Sequence, residues 1–228
     1  MRAAKLLRIV LCSGVHGYAD SADKYMCPID NIKKRIFKTL WPFSSLCYSQ
    51  EGEDMILSKI FGGQKSGFYV DVGAHHPLRF SNTYLFYLRG WGGINIDAMP
   101  GSMAAFNEKR PRDINLEIPV SDKSEELTYY IFNEPALNGF SKELSMSRDG
   151  LRGQYKIIET KALKTRTLCD ILDEYIPDDK HIDFLSIDVE GLDFQVLSSN
   201  NWERYRPSVV VVEVLSNSID DLPLSKTY

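Results

Sequence analysis

Three short apolar runs, each ending in an acid, constrain this chain more than any other feature. They are residues 67–77 (GFYVDVGAHHP), residues 92–97 (GGINID) and residues 182–191 (IDFLSIDVEG). Runs of this length, rich in β-branched and aromatic residues and separated by helical stretches, have the pattern of strands buried on both faces of a parallel sheet. In an open α/β sheet, ligands bind outside the carboxyl ends of the strands. Asp71, Asp97 and Asp188 stand at three such ends and are expected to meet at one site.

The elements around these runs alternate. Ile56, Leu57, Ile60 and Phe61 recur at helical spacing, with Ser49 as N-cap and Gly62 and Gly63 as the stop. Residues 68–72 read as the first strand. Ser81 or Asn82 caps a helix to about Arg89, and residues 92–97 form the second strand. A further helix reaches about Lys109 and stops at Pro111, and residues 114–118 form the third strand. This βαβαβ order is half of a doubly wound sheet. Residues 127–132 and 157–163 are extended. Between them, residues 133–153 are rich in Asn, Ser and Gly without a period, as in an irregular lid or mobile loop. Thr167 caps a helix through Tyr175. Residues 182–188 are the fourth strand, 192–199 a helix and 209–214 the fifth strand. The expected fold is α/β, with a doubly wound, mostly parallel sheet. The chain ends at Tyr228, before the strands that usually close such a sheet, so the domain is expected to be truncated.

A chain of 228 residues with 43% hydrophobic content suits one α/β domain, residues 46–228. Residues 1–45 read as an N-terminal arm with one helix near residues 30–40. Arg2 and Lys5 precede a short apolar stretch, but Arg8 interrupts it. A frayed extension or fusion segment fits better than a signal sequence. The net charge of −4 excludes a global nucleic-acid footprint, and Lys33, Lys34, Arg35 and Lys38 read as a solvated helix face. No apolar run is long enough to predict a membrane span. The four cysteines lie far apart, with no zinc spacing, so free thiols in a reducing, cytoplasmic setting are expected.

The first acidic run carries ligand chemistry. Gly73 has no Cβ to obstruct a ligand, and Asp71 offers a carboxylate to a cationic or amide donor. The dinucleotide fingerprint GxGxxG is absent, because Ala74, His75, His76 and Pro77 follow Gly73. Asp97 lies one strand–helix–strand unit further on, where an acid grips the two hydroxyls of a ribose. A ribose grip without a pyrophosphate cradle calls for a nucleoside, and S-adenosylmethionine fits that description.

The set SQEGED (49–54), GFYVDVGAHHP, SNTYLFYLRGWGGINIDAMP (81–100), TLCDIL (167–172), IDFLSIDVEGLDFQVL (182–197) and PSVVVVEV (207–214) resembles the FkbM family of S-adenosylmethionine-dependent methyltransferases over about residues 46–216. The resemblance implies a class I methyltransferase fold and O-methylation of a sugar or natural-product hydroxyl. It places Asp71, Gly73 and the adjoining Ala74 on the methionine side, Asp97 on the ribose, and Ser121 and Asp122 in the adenine pocket. His76 and Pro77 stand near the place where the family commonly has another glycine.

For catalysis, Asp188 at the fourth strand's end is placed to orient or deprotonate a hydroxyl, with Glu190 beside it. His75, at the mouth of the pocket, is a further candidate base. A hard cation needs several oxygens, and Glu213 is the other acid in reach; no metal is assigned. Asp193 reads as a solvated acid at a helix start. Asn138, Phe140 and Arg148 are candidates for an acceptor lid, over a small-molecule or glycan acceptor. Two other readings use the same sheet: a nicotinamide-dependent oxidoreductase, and a non-enzymatic interaction domain.

Overall fold

The computed structural model describes residues 4–11, 39, 43, 45–178 and 180–216. Its strands are Ala4–Leu11 (β1), Phe68–Val72 (β2), Gly92–Asp97 (β3), Ile114–Glu117 (β4), Glu126–Phe132 (β5), Ile157–Lys164 (β6), Phe184–Ile187 (β7) and Val209–Ser216 (β8). Its helices are Glu53–Ile60 (α1), Tyr84–Leu88 (α2), Met103–Lys109 (α3), Lys142–Arg148 (α4), Leu168–Tyr175 (α5) and Asp193–Ser198 (α6).

The main sheet has the order β1-β8-β7-β2-β3-β4. The five strands from β8 to β4 are parallel, as expected of a doubly wound Rossmann-like sheet. The chain lays down β2, β3 and β4 in one direction, then returns to the other flank of β2 with β7 and β8. The switch point therefore falls between β2 and β7, where ligands bind in such sheets. There Asp71 is in register with Ser186 on one side and Asn95 on the other.

Side-chain alternation along β2 builds a core on each face. Phe68, Val70 and Val72 pack with Leu168, Ile171 and Leu172 of α5 and Val196 of α6. Tyr69 points the other way, among Leu57 and Phe61 of the α1 end, Phe86 of α2, Trp91 and Phe184. Helices this short are not stable alone. Burying each large apolar side chain contributes about 1.5–3 kcal/mol, so the two cores hold the helices in place.

Several elements differ from expectation. The N-terminal segment read as frayed contains β1, which pairs antiparallel with β8 from Ala4–Ser216 to Leu11–Val209. The helix expected near residues 30–40 lies outside the described residues except for Thr39, which is helical. Ser49 does not cap α1. Gly52 does, at φ 95°, while the Ser49 hydroxyl donates to Asp54 at 2.8 Å. Thr83 rather than Ser81 or Asn82 is the N-cap of α2, although Ser81 Oγ accepts from the Tyr84 N–H at 3.1 Å. The Thr167 cap is as read, accepting from Asp170 N.

Residues 133–153 are not irregular. They fold as a 3-10 turn (Pro135–Leu137), α4 and a second 3-10 turn (Leu151–Gly153), beside the antiparallel β5–β6 sheet. Cys47 and Cys169 are free thiols. No helix among the described residues is long and apolar enough to cross a membrane.

Candidate active site

A cleft opens at the carboxyl ends of β2, β3 and β7. Its floor is residues 71–75, 96–99, Ser186 and 188–190, and its roof is Tyr129 with Pro135, Ala136, Asn138, Gly139 and Phe140. The roof is tied down locally. Asn138 Oδ1 accepts from Phe132 N at 2.7 Å, and the Tyr129 and Phe140 rings lie 4.8 Å apart.

Gly73 turns the chain at φ 84°, a backbone region that favours glycine. A Cβ there would overlap the Asp188 carbonyl oxygen. The space that Gly73 leaves is thus filled by the chain's own β7 exit rather than kept for a ligand. The N–H groups of Gly73 and Ala74 both donate to the Ile96 carbonyl, at 2.9 and 3.0 Å, which locks the β2 and β3 exits together. Gly73 and Ala74 both remain part of the cleft wall.

Asp97 is buried, and each of its carboxylate oxygens takes one backbone N–H. His75 donates to Oδ2 and Met99 to Oδ1, both at 2.8 Å. Burial raises its pKa, while those two bonds pull it down. Ser102 also favours the charged form, and the carboxylate keeps accepting capacity where it lines the cleft. Asp71 is also buried and accepts from Thr83 Oγ1 at 2.9 Å. Burial pushes its carboxyl up to about 6, against the lowering pull of Arg110, Thr83 and Ser186.

His75 adopts φ 53°, and its Nε2 is buried without a hydrogen-bond partner. Burial lowers its pKa, which keeps the ring neutral near pH 7. Its neighbour His76 has a turn-forming role, with Nδ1 accepting from the N–H groups of Leu78 and Arg79.

The β7 exit is a tight turn. Asp188, Val189 and Glu190 all line the cleft. Glu190 sits at φ 53° and forms an ion pair with Arg148 of α4 at 2.7 Å. Arg148 therefore meets the site through Glu190, whereas the other two lid candidates, Asn138 and Phe140, line the cleft directly. Asp193 is not a solvated helix-start acid. It is buried and accepts from Val189 N and Gly191 N, both at 3.1 Å, so it ties the turn that presents Asp188 and Glu190. Burial and the nearby Asp188 charge push its carboxyl up to about 7. Ligand oxygens of Asp188, Glu190 and Glu213 lie within 4.8 Å of one another, but Arg148 already neutralises Glu190.

Ser121 and Asp122 do not line the cleft. After β4 the chain crosses the floor with Ile118 and Val120, then bends away. Val120 bridges to Arg166, and Ser121 N donates to the Arg166 carbonyl, which anchors the pair outside.

Sequence reasoning missed Gln50, Glu53, Phe80, Asn82 and Tyr129 in the lining. The SQEGED motif, which carries part of the family resemblance, contains the first two, but no role in the site was assigned to them. The resulting charge pattern is one-sided. Glu53, Asp71, Asp97, Asp188 and Glu190 face the cleft, and none of its described lining residues is Lys or Arg.

Sheet order, switch point and cleft define a Rossmann-like α/β protein of the methyltransferase type. The chain matches the methyltransferase FkbM domain over residues 71–223, well over half its length, and belongs to that family. The match begins at Asp71, so every acid of the cleft except Glu53 falls within it. No curated protein and no solved structure gives a significant match.

Proposed function

We propose that the protein is an S-adenosylmethionine-dependent O-methyltransferase acting on a hydroxyl of a sugar or other small molecule. The observation that carries this reading is the acidic cleft at the switch point, with no lysine or arginine among its described lining residues. Its carboxylates, Glu190 being held in an ion pair with Arg148, suit a ligand that carries cationic groups. They repel the pyrophosphate of a nicotinamide dinucleotide, whose recognition normally uses a glycine-rich helix N-terminus that this chain lacks.

When bound, S-adenosylmethionine supplies a methyl group already activated on a sulfonium. The residues present fit such a group. The Asp97 carboxylate suits the two ribose hydroxyls, and Asp71 suits the ammonium of the amino-acid end. Asp188, just past the end of the strand beside Asp71, is assigned to orient the acceptor hydroxyl and take its proton, with His75 as a second base on the opposite wall. Glu190, held by Arg148, walls the acceptor side. The remaining catalytic contribution is proximity, with the acceptor aligned under the roof of Tyr129 and Phe140.

The test is a methyl-transfer assay over a panel of glycans and small hydroxyl compounds. Labelled methyl appearing on an acceptor oxygen is the expected result. Transfer to nitrogen or carbon acceptors alone would contradict the reading.

A further inference from the structure

Arg110 has no part in the chemistry above, yet it is completely buried. A buried guanidinium is costly unless every donor finds a partner. Arg110 Nε and Nη2 engage Asp113 at 2.8 and 2.7 Å, and Nη2 also donates to Tyr69 Oη at 2.8 Å. Nη1 donates to Thr83 Oγ1 at 2.9 Å and more loosely to Ser81 Oγ at 3.3 Å. Thr83 Oγ1 in turn donates to Asp71 Oδ2 at 2.9 Å.

Arginine has donors only, so it occupies an acceptor position of the Thr83 hydroxyl, whose single proton has two acceptors in reach, Asp71 Oδ2 at 2.9 Å and Ser81 Oγ at 3.2 Å; the closer carboxylate is the stronger acceptor and takes it. On the other side of Asp71, Asn82 Nδ2 donates to Ser186 Oγ at 3.0 Å, and Ser186, in register with Asp71 on the adjacent strand, helps to hold the Asp71 carboxyl in its charged form. Arg110 is balanced at contact distance by Asp113, not by Asp71. Asp71 therefore keeps its orientation from the two hydroxyls and its charge for whatever enters the cleft. Burial opposes the Arg110 charge, but the fields of Tyr69, Asp113 and Asp71 outweigh it and raise its pKa.

We infer that Arg110, acting through Thr83, and Asn82, acting through Ser186, are positioning residues that present Asp71 to a cationic ammonium group of the bound nucleoside. Identifying that group as the ammonium of the cofactor's amino-acid end rests on the S-adenosylmethionine reading. The geometry then makes a selective demand. Loss of the relay weakens ligands that carry the ammonium and spares the matching nucleoside without it.

The experiment compares S-adenosylhomocysteine with 5′-methylthioadenosine, which lacks the amino-acid end, by calorimetric titration of wild type, Thr83→Val, Thr83→Ser and Ser186→Ala. Thr83→Val conserves volume and deletes the hydroxyl, and Ser186→Ala tests the second arm should the first variant fail to fold. The expected result is about tenfold weaker S-adenosylhomocysteine binding in Thr83→Val and in Ser186→Ala, with methylthioadenosine unchanged within about twofold. Thr83→Ser keeps wild-type selectivity. Equal loss for both ligands, or no loss for either, in a folded variant overturns the inference alone. Wild type that binds neither ligand overturns it together with the reading on which it rests.

Discussion

The two sides of the cleft are held by different means. On the β2–β3 side the contacts are made by backbone N–H groups that tie two adjacent strand exits together. Asp97 takes the N–H groups of His75 and Met99, and Ile96 takes those of Gly73 and Ala74. On the β7 side the turn is set by Asp193, and Glu190 is fixed by Arg148, which is 42 residues away in α4. The first wall is as rigid as the sheet. The second depends on the docking of residues 133–153. A cofactor common to every turnover suits the rigid wall, and an acceptor that enters under a roof suits the other.

Gly73 joins the two walls, so changing it breaks the comparison altogether. Gly73→Val puts a branched side chain into the Asp188 carbonyl at a positive φ. It is expected to cost about 4 kcal/mol or more and to leave little folded protein, read by circular-dichroism melting. A variant melting like wild type would show that the β2 and β7 exits are not in contact.

Asp188→Asn separates the walls. Methyl transfer should slow by about 10²–10⁴-fold while S-adenosylhomocysteine affinity stays at the wild-type value. Full turnover in this variant would shift the base to His75.

Asp97→Ala strikes the rigid wall instead. It should weaken S-adenosylhomocysteine binding by about 1–3 kcal/mol, and Asp97→Asn by less, through lost charge-assisted hydrogen bonds. Unchanged titration curves in a folded variant would remove Asp97 from the site.

The smallest expected effect is with pH. The Asp71 carboxyl is pushed up to about 6, so it is ionised above that value and protonated below it. A ligand that places an ammonium group against Asp71 prefers the ionised form. Affinity for S-adenosylhomocysteine should therefore be level above about pH 6 and fall as pH drops below it. In Asp71→Asn that fall should vanish from the titrations. A fall that persists unchanged would assign the proton to another group.

The rigid wall was also the legible one. The boundaries of β2 and β3 follow directly from apolar runs that stop at or next to an acid, and the Thr167 cap follows from its place before LCDILDEY. What was hidden depends on how turns and packed elements close around a side chain. Asp193 looks solvated until the β7 turn closes over it, and Arg110 looks like a surface residue before a proline until Tyr69, Thr83 and Asp113 surround it. Ser121 and Asp122 stand beside the cleft lining and not in it because the Val120–Arg166 bridge joins segments far apart in the chain. The helix α4 was missed because Leu144 and Met146 give too few apolar positions to set a period.

This acidic cleft is expected to take a nucleoside that bears an ammonium group and not a phosphorylated dinucleotide. Calorimetric titration of the wild-type protein with S-adenosylhomocysteine and, separately, with nicotinamide dinucleotides in oxidised and reduced form tests it most directly. The account predicts saturable one-to-one binding of S-adenosylhomocysteine and no heat from the dinucleotides. Saturable binding of a dinucleotide, with none of S-adenosylhomocysteine, would contradict it.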